Sequence, residues 1–447
     1  MTNCNSLPIE FPGFGGRKIQ ADFSGGDVSS DGGVLVVRQV DRWIGLTKRL
    51  GAVLPDGRDP DRITHPLEAL LQQRIYGLAL GHEDLNDHDA LRHDLLWQTA
   101  AERDEALSSS STLCRWENRA GRQEAWLMHK VLFEQFVGSF ETPPEALTLD
   151  FDPTDDRVHG AQVGAHFHGY YGDYCFLPLY VFCGEQLLVS YLRPSNRDGA
   201  RHAWAVLALL VKALRQHWPG VRILLRADSG LCRWKMLRWC ERHGVDYLVG
   251  LAKNPRLNTL SAKLQADAEA QYKATQAKVR LFGSFDYQAG SWDRPRRVIV
   301  KAEHNAHGAN PRYVVTNRQG EPQALYEQDY CARGEMENRI KEQQLDLFSD
   351  RTSCHEWWPN QFRLLLSSFA YVLVETLRRL GLAGTELARA QAGTIRRETA
   401  QSRGGGGAQH PPGAPLVFVG LPLASRLSLL RGLLLRLGPC GAGPGTP

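Results

Sequence analysis

Residues 146–154, ALTLDFDPT, constrain this chain more than any other stretch. Their apolar side chains make a buried strand, Pro153 stops it, and Asp150 and Asp152 are delivered to its far end. The aromatic run YYGDYCFLPLYVFC and then QLLVSYL read as two further strands, turning at Gly184 and Glu185. An amphipathic helix over 200–217 follows, then the buried strand VRILLRAD at 221–228, a helix over 231–243, a strand over 247–251 and a helix over 257–277. Three strands joined by short turns form an antiparallel meander, and helical crossovers then add parallel strands. The expected fold class is α/β, a mixed sheet flanked by helices.

On either side of this core the pattern changes. The segment ETPPEA, with Pro143 and Pro144, marks a boundary, so 1–142 and 145–395 are expected to be separate domains. The first opens with a strand over 17–23 and the turn-rich SGGDVSSDGG, then becomes mainly helical, with Pro66 starting LEALLQQRIYGLAL and a longer helix over 123–136. Arg115, Arg119 and Arg122 crowd one helix junction. That suits a helix-turn-helix-like DNA reader and a plain helical bundle with a solvated basic end equally well. Beyond the core, about 278–320 reads as a basic β insertion. A helix over 322–347 follows, then another over 359–380 with Phe362, Leu365, Leu366, Phe369, Leu373 and Leu377 on one stripe.

A chain of 447 residues exceeds one ordinary core. Its 43% hydrophobic and 23% charged residues are those of a soluble globular protein, and a formal net charge of +4 permits a polyanionic partner without requiring one. Nine cysteines without a regular framework suit a reducing, cytoplasmic setting, and no signal peptide is evident. The apolar stretch 416–437 is interrupted by Pro422, Arg426, Arg431 and Arg436, which excludes a membrane span of roughly 20 residues.

Asp152 and Asp228 each end a strand. Neighbouring strands lie about 4.8 Å apart, so carboxylates at matching ends of parallel strands are placed to share divalent cations through oxygen ligands; capping the next turn is the ordinary alternative. A third acid lies in YCARGEMENRIK. At about 100° per residue, Tyr330, Arg333, Glu337, Lys341 and Gln344 share one helical stripe, with Met336, Ile340 and Leu347 beside it for packing. Cations flanking a carboxylate suit phosphate and metal together, whereas the bland reading is a solvated helix with spaced ion pairs. His159, His166 and His168 lack a paired CxxC, so surface or strand positions are expected. Cys175, Cys183, Cys232 and Cys240 are expected to be buried thiols. Trp234 and Trp239 are expected to pack in a helical core, with Arg233, Lys235 and Arg238 around them as phosphate contacts.

Asp152 in DFDPTDD, Asp228 in RADSGLCRWKML and the Tyr330-x2-Arg333-x3-Glu337 series resemble the DDE transposases of bacterial insertion sequences. The likeness is to the cut-and-paste branch with a Y-x2-R-x3-E signature, and it runs from about Asp22 to Ile395. It implies a ribonuclease H-like catalytic domain and a metal-binding triad of Asp152, Asp228 and Glu337 working with Mg²⁺ or Mn²⁺. Tyr330 and Arg333 are implied as DNA contacts, and Lys341 stands in for the family lysine that Gln344 replaces. Arg233 and Arg115 are further DNA-binding candidates. Asp152 is preferred over its neighbours Asp150 and Asp155 because it occupies the family's strand-end position. The implied partners are double-stranded DNA, as terminal inverted repeats and target, and a second copy of the chain on that DNA. The implied location is the bacterial cytoplasm at the nucleoid. The alternative is a catalytically inactive, DNA-binding remnant. Residues 396–447 carry no acid after Glu398 and are rich in Gly, Pro, Arg and Leu. They read as out-of-frame translation of a frameshifted element or as a disordered basic tail.

Overall fold

A computed structural model describes residues 9–14, 17–21 and 31–400. The apolar stretch 416–437 and the tail from 401 onward lie outside the described residues, as does most of the SGGDVSSDGG turn. Contacts divide the chain into two compact units, one of residues 1–135, 160–163 and 341–447, the other of 136–159 and 164–340. The helices after Lys341 therefore group with the N-terminal helices, whereas the prolines in the sequence suggest a single cut at 143–144.

The first unit begins with an antiparallel hairpin of β1, Ile9–Phe14, and β2, Arg17–Ala21. Its helical part holds Val34–Ile44 and Leu46–Val53, separated at Gly45, whose φ of 64° admits a left-handed break. The helix Leu67–Leu80 packs along the 20-residue helix Trp357–Thr376. The apolar stripe expected on the latter is buried throughout, from Phe362 to Leu377. Polar side chains inside this unit are fully engaged. Glu117 accepts from Arg74 and Arg363, each at 2.8 Å, and Asp41 accepts from the Tyr76 hydroxyl at 2.6 Å.

The second unit is built on strands. In chain order they are β3, Ala146–Pro153; β4, Asp156–Arg157; β5, His166–His168; β6, Asp173–Phe176; β7, Leu179–Cys183; β8, Gln186–Tyr191; β9, Arg222–Ala227; β10, Asp246–Leu251; β11, Val279–Tyr287; β12, Arg296–Asn305; β13, Gly308–Ala309; and β14, Arg312–Thr316. The large sheet runs β11-β12-β14-β10-β9-β3-β7-β8, with β13 paired to β12. Its half from β8 to β10 is a meander, β3-β7-β8, joined by β9 and β10, which run parallel to β3. This is the ribonuclease H-like order, and the crossover helices Ala203–His217 and Trp234–Arg242 make the parallel returns possible. The basic insertion extends the same sheet, because β14 pairs antiparallel with β10.

Two expectations need correcting. The aromatic run is two strands in two sheets. The Pro178 nitrogen has no proton for a ladder, and the Leu177 N–H bonds the Arg193 carbonyl, so β6 instead joins β4 and β5 in a small antiparallel sheet. The helix expected over 322–347 is also uneven. A short helix Pro322–Ala324 leads into a wide π turn, Leu325–Tyr330, and a tight 3-10 turn, Cys331–Arg333, before the regular helix Gly334–Leu345. Leu325 and Tyr326 anchor the wide turn on a core of Leu248, Ile299 and Val314. A uniform rotation of about 100° per residue thus does not hold across Tyr330 to Glu337.

Candidate active site

The parallel register between β3 and β9 sets Asp150 opposite Arg226 and Phe151 opposite Ala227. One residue further, Asp152 and Asp228 emerge level at adjacent strand ends. The two rungs below and at the end have opposite characters. Asp150 is buried and takes two hydrogen bonds from Arg226, both at 2.6 Å, which makes a bidentate pair. Arg226 also donates to the Asp329 carbonyl at 2.6 Å and so ties the wide turn to the sheet. Asp150 is therefore committed to structure, while Asp152 is left for other work.

Glu337 reaches the same place through Arg333. The guanidinium donates to Asp152 at 3.2 Å and to Glu337 at 2.6 Å. Burial pushes the Asp152 carboxyl up to about 7; Arg333 opposes that rise, and the charges of Asp228 and Glu337 add to it. Burial would lower the Arg333 pKa, but Asp152, Tyr330, Glu337 and Asp228 together hold it above its ordinary value. One cation thus faces three carboxylates. The Asp228 Oδ1 atom is buried without a hydrogen-bond partner among the described residues. Such an orphaned anionic oxygen is costly unless a cation meets it.

Gly250 on β10 shapes the floor. A Cβ there would lie 2.7 Å from the Tyr330 hydroxyl and 2.9 Å from the Ser229 nitrogen, so only glycine lets Tyr330 settle over the Asp228–Ser229 backbone. Burial raises the Tyr330 pKa, and its ring packs on Tyr326 at 5.6 Å. Tyr171 also feels Asp155, Asp152 and Asp228, which, after burial, help to raise its pKa.

The model of the family described as transposase DDE domain group 1 matches residues 11–399. This chain belongs to that DDE transposase family. No curated protein matches it. A cryo-EM structure of a piggyBac transposase synaptic complex with hairpin DNA is similar at 11% identity, over 93% of this chain and 87% of that one. Its TM-score of 0.41 marks a loose likeness that carries no weight for function.

For a DDE transposase the donor set is chemically apt, since three carboxylates suit a hard divalent cation. Among the described residues, however, no three His, Cys, Asp or Glu side chains converge as a ready cage, because Arg333 stands between Asp152 and Glu337. The remaining candidates lie apart from this knot. Lys341 is exposed on the helix Gly334–Leu345, and Arg115 is exposed on the helix Ser110–Glu117, where it donates to Thr112 at 3.2 Å. Arg233 is paired with Asp198 at 2.7 Å. His159 is exposed, and His166 and His168 lie on β5. Cys175 and Cys240 are buried free thiols, while Cys183 and Cys232 are only partly enclosed.

The tryptophan expectation fails. The inward face of Trp234–Arg242 is Met236, Leu237 and Cys240, while Trp234 and Trp239 are half-exposed. Trp234 lies under the Arg238 guanidinium at 4.9 Å, and Trp239 stacks on His243 at 4.2 Å. Sequence reasoning also missed Arg226 and Gly250. The first had a signal: Asp-x-Asp and Arg-x-Asp, set in parallel register, pair the first residues and level the last. The second had none, since it depends on a helix turn arriving from far along the chain.

Proposed function

We propose that this chain is the DNA transposase of a bacterial insertion sequence, cutting at the element's ends and joining them to target DNA. The observation that carries the reading is the level pair Asp152 and Asp228, with Glu337 drawn to the same point by Arg333. These three carboxylates would hold Mg²⁺ or Mn²⁺, with the Asp228 Oδ1 atom as the most exposed need for a cation. A divalent cation bound there supplies activation of water and stabilisation of charge on the attacking and leaving oxygens during in-line phosphoryl transfer. The chain's own contribution is geometric. Arg226 fixes β9 against the wide turn, Gly250 admits Tyr330, and Arg333 keeps Asp152 and Glu337 facing one point. Tyr330, Arg333, Lys341, Arg233 and Arg115 are the proposed DNA contacts, the last within an N-terminal DNA-reading region over 1–142. The working form is proposed to be a dimer on the terminal repeats, in the cytoplasm at the nucleoid. Among the described residues no helix is long and apolar enough to cross a membrane.

The test is nicking of the element's terminal DNA in Mg²⁺, with Asp228→Ala as control. Loss of a metal ligand should lower the rate by more than about 100-fold, with duplex binding retained. Cleavage that survives the substitution would sink the triad. Binding without any cleavage by the unaltered protein identifies an inactive remnant instead.

A further inference from the structure

Beside the acidic knot, in the same unit, lies a groove of about 430 Å³ lined by Asp198, Ala200, Arg201, Trp204, Arg233, Trp234, Lys235 and Met236. Three cations face one carboxylate there. Its walls are held before any ligand arrives. Arg193, itself buried, donates to the Gly199 and Arg201 carbonyls at 2.7 and 2.8 Å and so fixes one wall. Arg233 spans to Asp198 with bonds of 3.1 and 2.7 Å and ties that wall to the other. Trp204 is 51% exposed, a large apolar area to leave in water on a charged surface. Trp234 already carries the Arg238 guanidinium over its ring, which leaves that cation facing outward from an aromatic plane.

We propose that this groove binds one unpaired nucleotide of the DNA strand being processed, its base stacked on Trp204 and its phosphates met by Arg201 and Lys235. The inference rests on the transposase reading for its substrate and adds a site to it. An indole beside cations is what single-stranded DNA uses, because every base offers a π face and every linkage a negative charge. The volume lies within the range of small-ligand pockets, about 300–1,000 Å³. The position is also suitable. Arg233 follows Asp228 by five residues, so even a fully extended chain separates them by only about 17 Å. At 3.4 Å per base step, the groove therefore lies within about five nucleotides of a phosphate held at Asp228. A fully paired duplex has no free base face to offer it, so the groove discriminates in favour of strand ends and melted steps.

The test uses the full chain and two probes, a 20-nucleotide oligothymidine and a 20-base-pair duplex, with affinities measured by anisotropy and the folded state checked by thermal melting. Trp204→Ala should lower the ratio of oligothymidine to duplex affinity by about tenfold or more, and Trp204→Phe should restore most of it. Arg201→Ala should reduce the salt dependence of oligothymidine binding by about one counterion. Oligothymidine should quench tryptophan fluorescence in the unaltered protein and less so in Trp204→Phe. An unchanged ratio in a well-folded Trp204→Ala protein overturns the proposal, as does equal binding of a polyglutamate peptide. Absence of oligothymidine binding with duplex binding and nicking intact overturns the groove alone. Failure to bind either DNA overturns the transposase reading with it.

Discussion

Two buried charge clusters in this molecule are neutralised in opposite ways. In the helical unit, Glu117 is one carboxylate held by two guanidiniums, Arg74 and Arg363. At the sheet edge, Asp152, Asp228 and Glu337 share the single guanidinium of Arg333, and one Asp228 oxygen has no partner among the described residues. The first cluster is complete and can only lose by change. The second is short of positive charge, which is how a site looks when it is built to receive a cation and a phosphate rather than to stabilise a fold. Asp150 repeats the lesson at closer range. It lies two residues from Asp152 on the same strand, yet Arg226 saturates it.

The largest expected effect breaks the complete cluster. Glu117→Ala strands Arg74 and Arg363 in the interior and should cost about 3–5 kcal/mol, read from urea unfolding. A cost below 1 kcal/mol would remove the contrast. A smaller effect of opposite sign is expected at the sheet edge. The folded-state pKa of Asp152 is raised, so its favourable contribution is present below about 4 and is lost as the pH rises through about 7. Asp152→Asn should therefore stabilise the protein at pH 8 in EDTA and do nothing at pH 4. The rise bounds the gain at about 4 kcal/mol, and loss of the Arg333 contact reduces it to about 1–2 kcal/mol. Destabilisation at pH 8 would mean that Asp152 is a structural acid like Glu117. The smallest effect concerns the cation itself. Protons compete with metal for Asp152, so calorimetric Mn²⁺ affinity should fall by up to about tenfold per unit as the pH drops below about 7. A pH-independent affinity would move the cation off Asp152.

Much of this was readable from residues alone, for reasons visible in particular elements. The strands over 146–152 and 221–228 are short, apolar and ended by acids, and a helix between two such strands forces a parallel return. Level ends for Asp152 and Asp228 follow from that geometry. The stripe on Trp357–Thr376 was equally plain, because a helix of 20 residues repeats its pattern five times over. The split of the aromatic run was not plain, since an isolated proline does not say which sheet each half will join. Nor was the exposure of Trp234 and Trp239, because a tryptophan at helical spacing looks the same on either face when charged residues surround it.

The sequence by itself determined the kind of sheet, the order of its strands and which acids stand at their ends, because these depend on local apolar periodicity and chain connectivity. Only the tertiary structure decided what each acid meets. Arg226 takes Asp150 because the register puts them on one rung. Arg333 bridges Asp152 and Glu337 because a wide turn and a tight turn change the phase of the helix that carries it. Gly250 admits Tyr330 because that turn arrives from 80 residues further along the chain. Contacts between elements so distant in sequence leave no periodic trace, and the charge imbalance that marks the site exists only once they have formed.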